Sequence, residues 1–162
     1  MKICVTGGMG YIGSHTVIEL IKEGHEPVIV DNLVNSNPEV LNRIQKITKI
    51  KPKFYQIDVR DEEKLDNCFK QEKFDAVIHF AGLKSVGESV QKPDLYFDNN
   101  IGSSKTLLKV MKKYNVKNII FSSSATVYGV PTHVPLLETD PVGKAANPYG
   151  QTKIETEKLN KK

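Results

Sequence analysis

Tyr149 and Lys153 stand four residues apart, a spacing that on a helix puts a phenol and an ammonium on one face, one turn from each other. A tyrosine's ordinary pKa, about 10, is too high for a general base at neutral pH, but a nearby positive charge favours the phenolate. Such pairs arise often by chance, and alone this one reads as an ordinary pair on an exposed helix. A third group gives it a direction. The strand-like run Asn118–Ser122 is followed by Ser123 and Ser124, so these serines emerge at the carboxyl edge of a sheet. A serine hydroxyl there can donate to an oxygen that becomes a carbonyl, or accept from the alcohol it replaces. Ser124, Tyr149 and Lys153 are therefore candidate catalytic residues for proton-coupled hydride transfer at a secondary alcohol.

Hydride chemistry needs a carrier, and the other end of the chain offers a place for one. Gly7, Gly10 and Gly13 have the spacing GxxGxxG between an apolar strand-like run and an amphipathic helix. Glycines at these points allow a tight turn, close approach of backbone N–H groups to a pyrophosphate, and close helix–sheet packing. Asp31 closes the second strand-like run, where an acidic residue accepts hydrogen bonds from the adenosine ribose hydroxyls. A carboxylate there repels a 2′-phosphate, and no arginine follows within Asn32–Ser36, so NAD is expected rather than NADP. Asp58, after the third strand, is equally readable as a turn residue or as a contact to the adenine amino group.

These residues must be positioned by elements that alternate. Strands are expected at Lys2–Thr6, Pro27–Val30, Lys53–Gln56, Ala76–Phe80 and Asn118–Ser122, three of them nearly continuous apolar runs as in parallel strands covered on both faces. Helices are expected at Tyr11–Glu23, Pro38–Thr48, Glu62–Gln71, from about Pro93 to Tyr114, and from Pro148 onward. Asn37 before Pro38 and Asn147 before Pro148 supply helix-entry signals. The alternation predicts an α/β, Rossmann-type, doubly wound parallel sheet with central order 3-2-1-4-5. Residues 1–162 are expected to be a single NAD-binding domain. Gly129–Ala146, with three prolines, is a long loop of the kind that is often functional.

Composition narrows the remaining classes. Of 162 residues, 39% are hydrophobic and 26% charged, as in ordinary globular proteins, and the net charge is +4. The lysine runs Lys46–Lys53 and Lys158–Lys162 lack the interleaved aromatics of a single-strand nucleic-acid groove, so they read as solvated faces. The two cysteines and four scattered histidines form no metal-ligand or disulfide pattern. Neither a signal peptide nor an apolar run long enough for a bilayer is evident. No nucleic acid, membrane or metal partner is expected, and the cytoplasm is the expected compartment.

The combination of GxxGxxG, Ser124 and YxxxK resembles the extended short-chain dehydrogenase/reductases. Within them, VTGGMGYIGSHTV, DNLVNS, IHFAGLKSVGESVQKP, DNNIGS, VKNIIFSSSATVYG and NPYGQTK resemble UDP-glucose 4-epimerases over nearly the whole chain. The resemblance implies that Tyr11 and Ile12 lie against the pyrophosphate and that Asp31, Asn32, Asn35 and Ser36 hold the adenosine ribose. It puts Asp58 and Val59 at the adenine, Phe80, Ala81, Gly82 and Lys84 along the middle of the cofactor, and Asn99 beside it. It makes Ser124 and Lys84 substrate contacts, Tyr149 the base that also meets substrate, and Lys153 the ligand of the nicotinamide ribose. The implied reaction interconverts UDP-glucose and UDP-galactose through a transient 4-keto sugar, with NAD retained. Nucleotide-sugar 4,6-dehydratases carry an acidic pair where this chain has Ala125 and Thr126, so elimination of water is not expected.

Members of that family are about twice this long, and a carboxyl-terminal domain holds their nucleotide. The uridine site and the last strands of the sheet are therefore expected to lie beyond residue 162, leaving an apolar sheet edge exposed. Two readings follow: the amino-terminal part of a working epimerase, homodimeric when whole, or a nucleotide-binding module that holds NAD without turning over sugar. A related nucleotide-sugar epimerase or reductase, acting for instance on an N-acetylhexosamine form, is a third.

Overall fold

Strands short and apolar enough to be covered on both faces set the architecture. The computed structural model describes residues 1–131 and 133–161. β1 (Lys2–Thr6), β2 (Glu26–Asp31), β3 (Lys53–Gln56), β4 (Ala76–His79) and β5 (Asn118–Phe121) form one parallel sheet in the order β3-β2-β1-β4-β5. The expected doubly wound α/β fold and its central order are both present. Two compact units divide the chain: Met1–Ala81 with Thr106–Ser122, and Gly82–Lys105 with Ser123–Lys162.

The first unit contains the sheet. Successive residues of a strand face opposite ways, and the core divides accordingly. Cys4, Val28, Val30 and Val77 pack on one side with Leu65, Phe69, Leu107 and Val110. Ile3, Val5, Ile29 and Ile78 pack on the other with Val17, Ile21 and Ile44. Parallel register sets Val5 beside Ile29 on one neighbour and Ile78 on the other, so the alternation is shared across the sheet. Helix α1 (Tyr11–Lys22) buries Gly13, Val17 and Ile21, spaced by four along one face. Helix α2 (Glu39–Thr48) starts where the Asn37 side chain accepts the Glu39 N–H, and α3 (Glu62–Glu72) is capped by Asp61. The outer edge of β5 leaves Ile120 65% exposed.

At the carboxyl end of α3, the buried carboxylate of Glu72 accepts from Lys2 Nζ and Lys53 Nζ at 3.0 Å each and from the Tyr55 hydroxyl at 2.5 Å. Burial by itself would push Glu72 up; the Tyr55 hydroxyl and the two lysines outweigh it and hold the group at about 2.

The second unit is helical. It contains α4 (Val86–Gln91), α5 (Pro93–Tyr96), the start of α6 (Gly102–Lys113) and α7 (Pro148–Asn160). The long helix expected from Pro93 is present but widens into a π turn at Phe97–Ile101. Helix α4 escaped the sequence reading because six residues, one of them Gly87, are too few for a helical period to show. The loop after the 3₁₀ turn Ala125–Tyr128 is pinned at its neck, where Gly143 N–H donates to Val127 O at 3.1 Å. Gly129 has φ +70°, and a Cβ there would lie 2.5 Å from Lys144 O. Among the described residues no helix is long and apolar enough to cross a membrane, and no group of acidic, histidine or cysteine side chains could hold a metal.

Candidate functional site

The glycine loop separates two demands. Gly7 adopts φ +70°, and a Cβ on it would sit 2.7 Å from Ala81 N; one on Gly13 would sit 2.8 Å from Gly8 Cα. Both positions are required by the fold itself, which brings the loop against the end of β4 and α1 against the loop. At Gly10 a Cβ would meet only Gly7 O, at 3.3 Å. The space it would fill lies before the first turn of α1. Gly10 is the N-cap of that helix, with no side-chain cap and no acidic residue in the first turn, whereas α3, α4 and α7 are capped by Asp61, Ser85 and Asn147. The opening N–H groups of α1 and its positive dipole end are thus open to an anion, and the residues fit a pyrophosphate. Tyr11 and Ile12 stand at that mouth 77% and 55% exposed.

Asp31 is 8% exposed at the end of β2. Its Oδ1 accepts from Leu33 N (2.9 Å) and Ser36 Oγ (2.8 Å), and its Oδ2 from Met9 N (3.1 Å). Each carboxylate oxygen has room for two donors, so Oδ2 can accept one more, as a ribose hydroxyl requires. Asn35 lies exposed beside Ser36. Asn32 Nδ2 donates to Asp58 Oδ2 at 3.2 Å, joining the ends of β2 and β3. Arg60 grips the same carboxylate through Nε (3.0 Å), NH2 (2.8 Å) and its backbone N–H (3.0 Å), and holds Asp58 at about 2. Val59 is buried in the core, which leaves only its backbone to meet a base. Phe80 N–H donates to Thr6 O at 3.0 Å and Ala81 N–H to Thr6 Oγ1 at 3.4 Å, fixing the segment beside Gly7.

The second unit holds the remaining site residues. Asn147 accepts from Gly150 N at 2.8 Å and Pro148 opens α7, so Tyr149 falls in its first turn. Lys153 Nζ lies 5.7 Å from the centre of the Tyr149 ring, within cation–π range. Burial lowers Lys153 to about 8, so the ammonium persists at neutral pH against the pull of its surroundings. Ser124 Oγ accepts from Thr126 Oγ1 (2.9 Å) and Thr126 N (3.3 Å). In that arrangement its own proton is left to offer. Gly150 permits the approach: a Cβ on it would lie 2.9 Å from Ala145 Cβ and 3.1 Å from Thr126 Oγ1. The first turn of α7 and the Ser124 turn are thereby brought together. Lys84 and Gly82 are exposed, and Asn99 sits half-buried in the π turn.

Several residues of these networks were missed from sequence. Asn100, in the π turn, takes Leu83 N on Oδ1 (2.8 Å) and donates Nδ2 to Leu83 O and Thr152 Oγ1, both at 3.0 Å. Thr152 donates in turn to Tyr149 O at 2.7 Å. Ser123 is tied by its hydroxyl to Glu157, one turn beyond Lys153. The partners of Asn100 and Ser123 are far apart in sequence and leave no local signal. Arg60 did leave one, two residues from Asp58.

The chain matches the NAD dependent epimerase/dehydratase family over residues 3–162. It is 54% identical over 159 residues to the UDP-glucose 4-epimerase of Bacillus subtilis, covering 98% of this chain and 47% of that protein. Its identity to UDP-glucose 4-epimerase 2 of Arabidopsis thaliana is 52% over 161 residues, covering 98% and 46%. The crystal structure of UDP-glucose 4-epimerase from Bifidobacterium longum in complex with NAD+ and UDP superposes with a TM-score of 0.98 at 52% identity, covering 99% of this chain and 48% of that one. The chain spans about half the length of the curated relatives it matches. The glycine loop, the acid at the end of β2 and the YxxxK helix thus coincide with a match over nearly every residue, and the chain belongs to the NAD dependent epimerase/dehydratase family.

Proposed function

We propose that this chain binds NAD and carries the acid–base half of the interconversion of UDP-glucose and UDP-galactose in the whole protein, an isomerase. The observation that carries the reading is the face of α7 that sets the Lys153 ammonium over the Tyr149 ring, in the unit that also holds Ser124. The open end of α1 takes the pyrophosphate, with Tyr11 and Ile12 against it. Asp31, Asn32, Asn35 and Ser36 hold the adenosine ribose, Asp58 and the Val59 backbone meet the adenine, and Phe80, Ala81, Gly82, Lys84 and Asn99 line the rest of the cofactor. Residues 1–162 work in this reading as one NAD-binding domain.

NAD, when bound, supplies a reversible acceptor for the C4 hydride, which returns to the opposite face of a transient 4-keto sugar. Tyr149 takes the proton of the C4 hydroxyl and gives it back after the sugar has turned. Lys153 stabilises the phenolate and holds the nicotinamide ribose. Ser124 donates to the C4 oxygen as it becomes a carbonyl, and Lys84 contacts the substrate. The whole protein is a homodimer in this reading. Its relatives from Bacillus subtilis and Arabidopsis thaliana bear the name of this activity, and the Bifidobacterium longum relative binds NAD+ and UDP. For the 162 residues taken alone, the half-length match favours a second reading, an NAD-binding module without turnover.

Tyr149→Phe in the whole protein is expected to lower turnover of UDP-galactose by about 10³-fold with NAD still bound. Turnover within a few-fold of the parent would exclude Tyr149 as the base. A coupled assay showing normal turnover by the 162 residues alone would sink the second reading.

A further inference from the structure

Asp58 can serve as an adenine contact only if its carboxylate has an acceptor site to give, and the structure shows what stands in the way. Oδ1 accepts from the Arg60 backbone N–H and Nε, both at 3.0 Å; Oδ2 accepts from Arg60 NH2 at 2.8 Å and Asn32 Nδ2 at 3.2 Å. Two donors on each oxygen use the four sites a carboxylate offers. The contacts differ in strength: the guanidinium fork is charged and two-pronged, whereas the amide of Asn32 is neutral and the longest of the four.

We propose that Arg60 is a specificity-determining residue that clamps Asp58 as a fixed acceptor and thereby selects a 6-amino purine in the dinucleotide. The incoming amino group takes the place of the Asn32 amide on Oδ2, and the Arg60 fork stays. Asn32 is released toward the ribose beside Asp31. A purine with a 6-oxo group presents lone pairs to the same oxygen, and the clamp keeps the carboxylate from rotating away. Without Arg60 the carboxylate, a third exposed, is free to turn, and either base is accommodated. The inference rests on the NAD reading above and adds to it the residue that makes the adenine end selective.

Calorimetric titration of the whole protein with NAD, and with the same dinucleotide carrying hypoxanthine in place of adenine, tests it. The parent is expected to favour NAD by about tenfold or more, as for an ionised acceptor that loses its donor. In Arg60→Met the preference is expected to fall within about twofold, with NAD bound several-fold more weakly and the circular dichroism spectrum unchanged. Asp58→Asn is expected to remove the preference as well, since an amide can turn its NH2 toward an oxo group, and adding Arg60→Met to it is expected to change nothing further. An unchanged preference in Arg60→Met, or tighter NAD binding there, overturns the clamp while leaving NAD binding standing. Failure of the parent to bind either dinucleotide overturns both.

Discussion

Glu72 in the first unit and Lys153 in the second are both buried charged side chains, and the two are treated in opposite ways. Glu72 in the first unit is surrounded by Lys2, Lys53 and Tyr55, and its partners hold the carboxylate well below its ordinary value. Lys153 in the second is 7% exposed, and burial dominates, drawing it down to about 8. A buried charge whose surroundings favour ionisation strengthens the fold. One whose surroundings oppose it weakens the fold and is a candidate for chemistry that uses a charge near neutrality. The expectation that follows is a structural role for Glu72 and a chemical one for Lys153, and both can be broken.

The largest expected effect is on turnover. Lys153→Met in the whole protein is expected to lower kcat by about 10²–10⁴-fold, the range for a group that supports proton transfer. The same variant should be more stable to urea by up to about 3 kcal/mol, because a shift from 10.5 to about 8 opposes folding by that much. A destabilised Lys153→Met would place Lys153 with Glu72 and end the contrast. Glu72→Gln is expected to go the other way: a loss of about 3 kcal/mol as Lys2 and Lys53 lose their shared carboxylate, with NAD affinity unchanged. Loss of NAD affinity at unchanged stability would contradict the structural assignment.

The pH dependence separates the pair further. Glu72 is lowered in the fold, so its contribution is present above about 4.5 and is lost as pH falls from there toward 2. Lys153 is also lowered, but it is a base. Between about 8 and 10.5 the unfolded chain binds the proton that the fold has released, so stability rises with pH across that window. Stability curves of the parent and Lys153→Met should converge as pH rises from 8 to 10.5, and those of the parent and Glu72→Gln as pH falls from 4.5 to 2. Parallel curves in either window would remove that group from the account.

A smaller effect is expected within the glycine loop, where the same distinction between fold and function recurs. Gly10→Ala should leave urea stability within about 0.5 kcal/mol and weaken NAD binding by about tenfold, because its Cβ enters the open space before α1. Gly13→Ala should lose stability instead, since its Cβ would meet Gly8 Cα at 2.8 Å. Equal effects of the two on stability would show that the loop is uniform.

How much of this was legible in the sequence depends on how local each cause is. Gly7, Gly10 and Gly13, Asp31 at a strand end, and Tyr149 with Lys153 are patterns of short sequence spacing, and they could be singled out as candidates from the sequence. The five strands lie within a residue of the expected limits because their apolar runs are bounded by turns. The π turn at Phe97–Ile101 was not legible, since one inserted residue shifts the helical phase without a glycine or proline to mark the place. The orientation of Ser124 was not legible either, because it depends on a hydroxyl of Thr126 whose rotamer no spacing reveals.

By itself the sequence determined the alternation of strand and helix, the glycine turn, the acid after β2 and the one-turn offset of Tyr149 from Lys153. The alternation and the one-turn offset follow from the periods of 2 and 3.6 that short-range sterics impose, and the turn from the positive φ that glycine allows at Gly7. Only the tertiary structure decided which charges are held and which are opposed. It placed Glu72 among residues 19 and 70 positions away, joined Asn100 to Thr152 across 52, and buried Lys153. Burial and hydrogen bonding are properties of the packed whole, and a pKa is set by them rather than by the residue's neighbours in the chain.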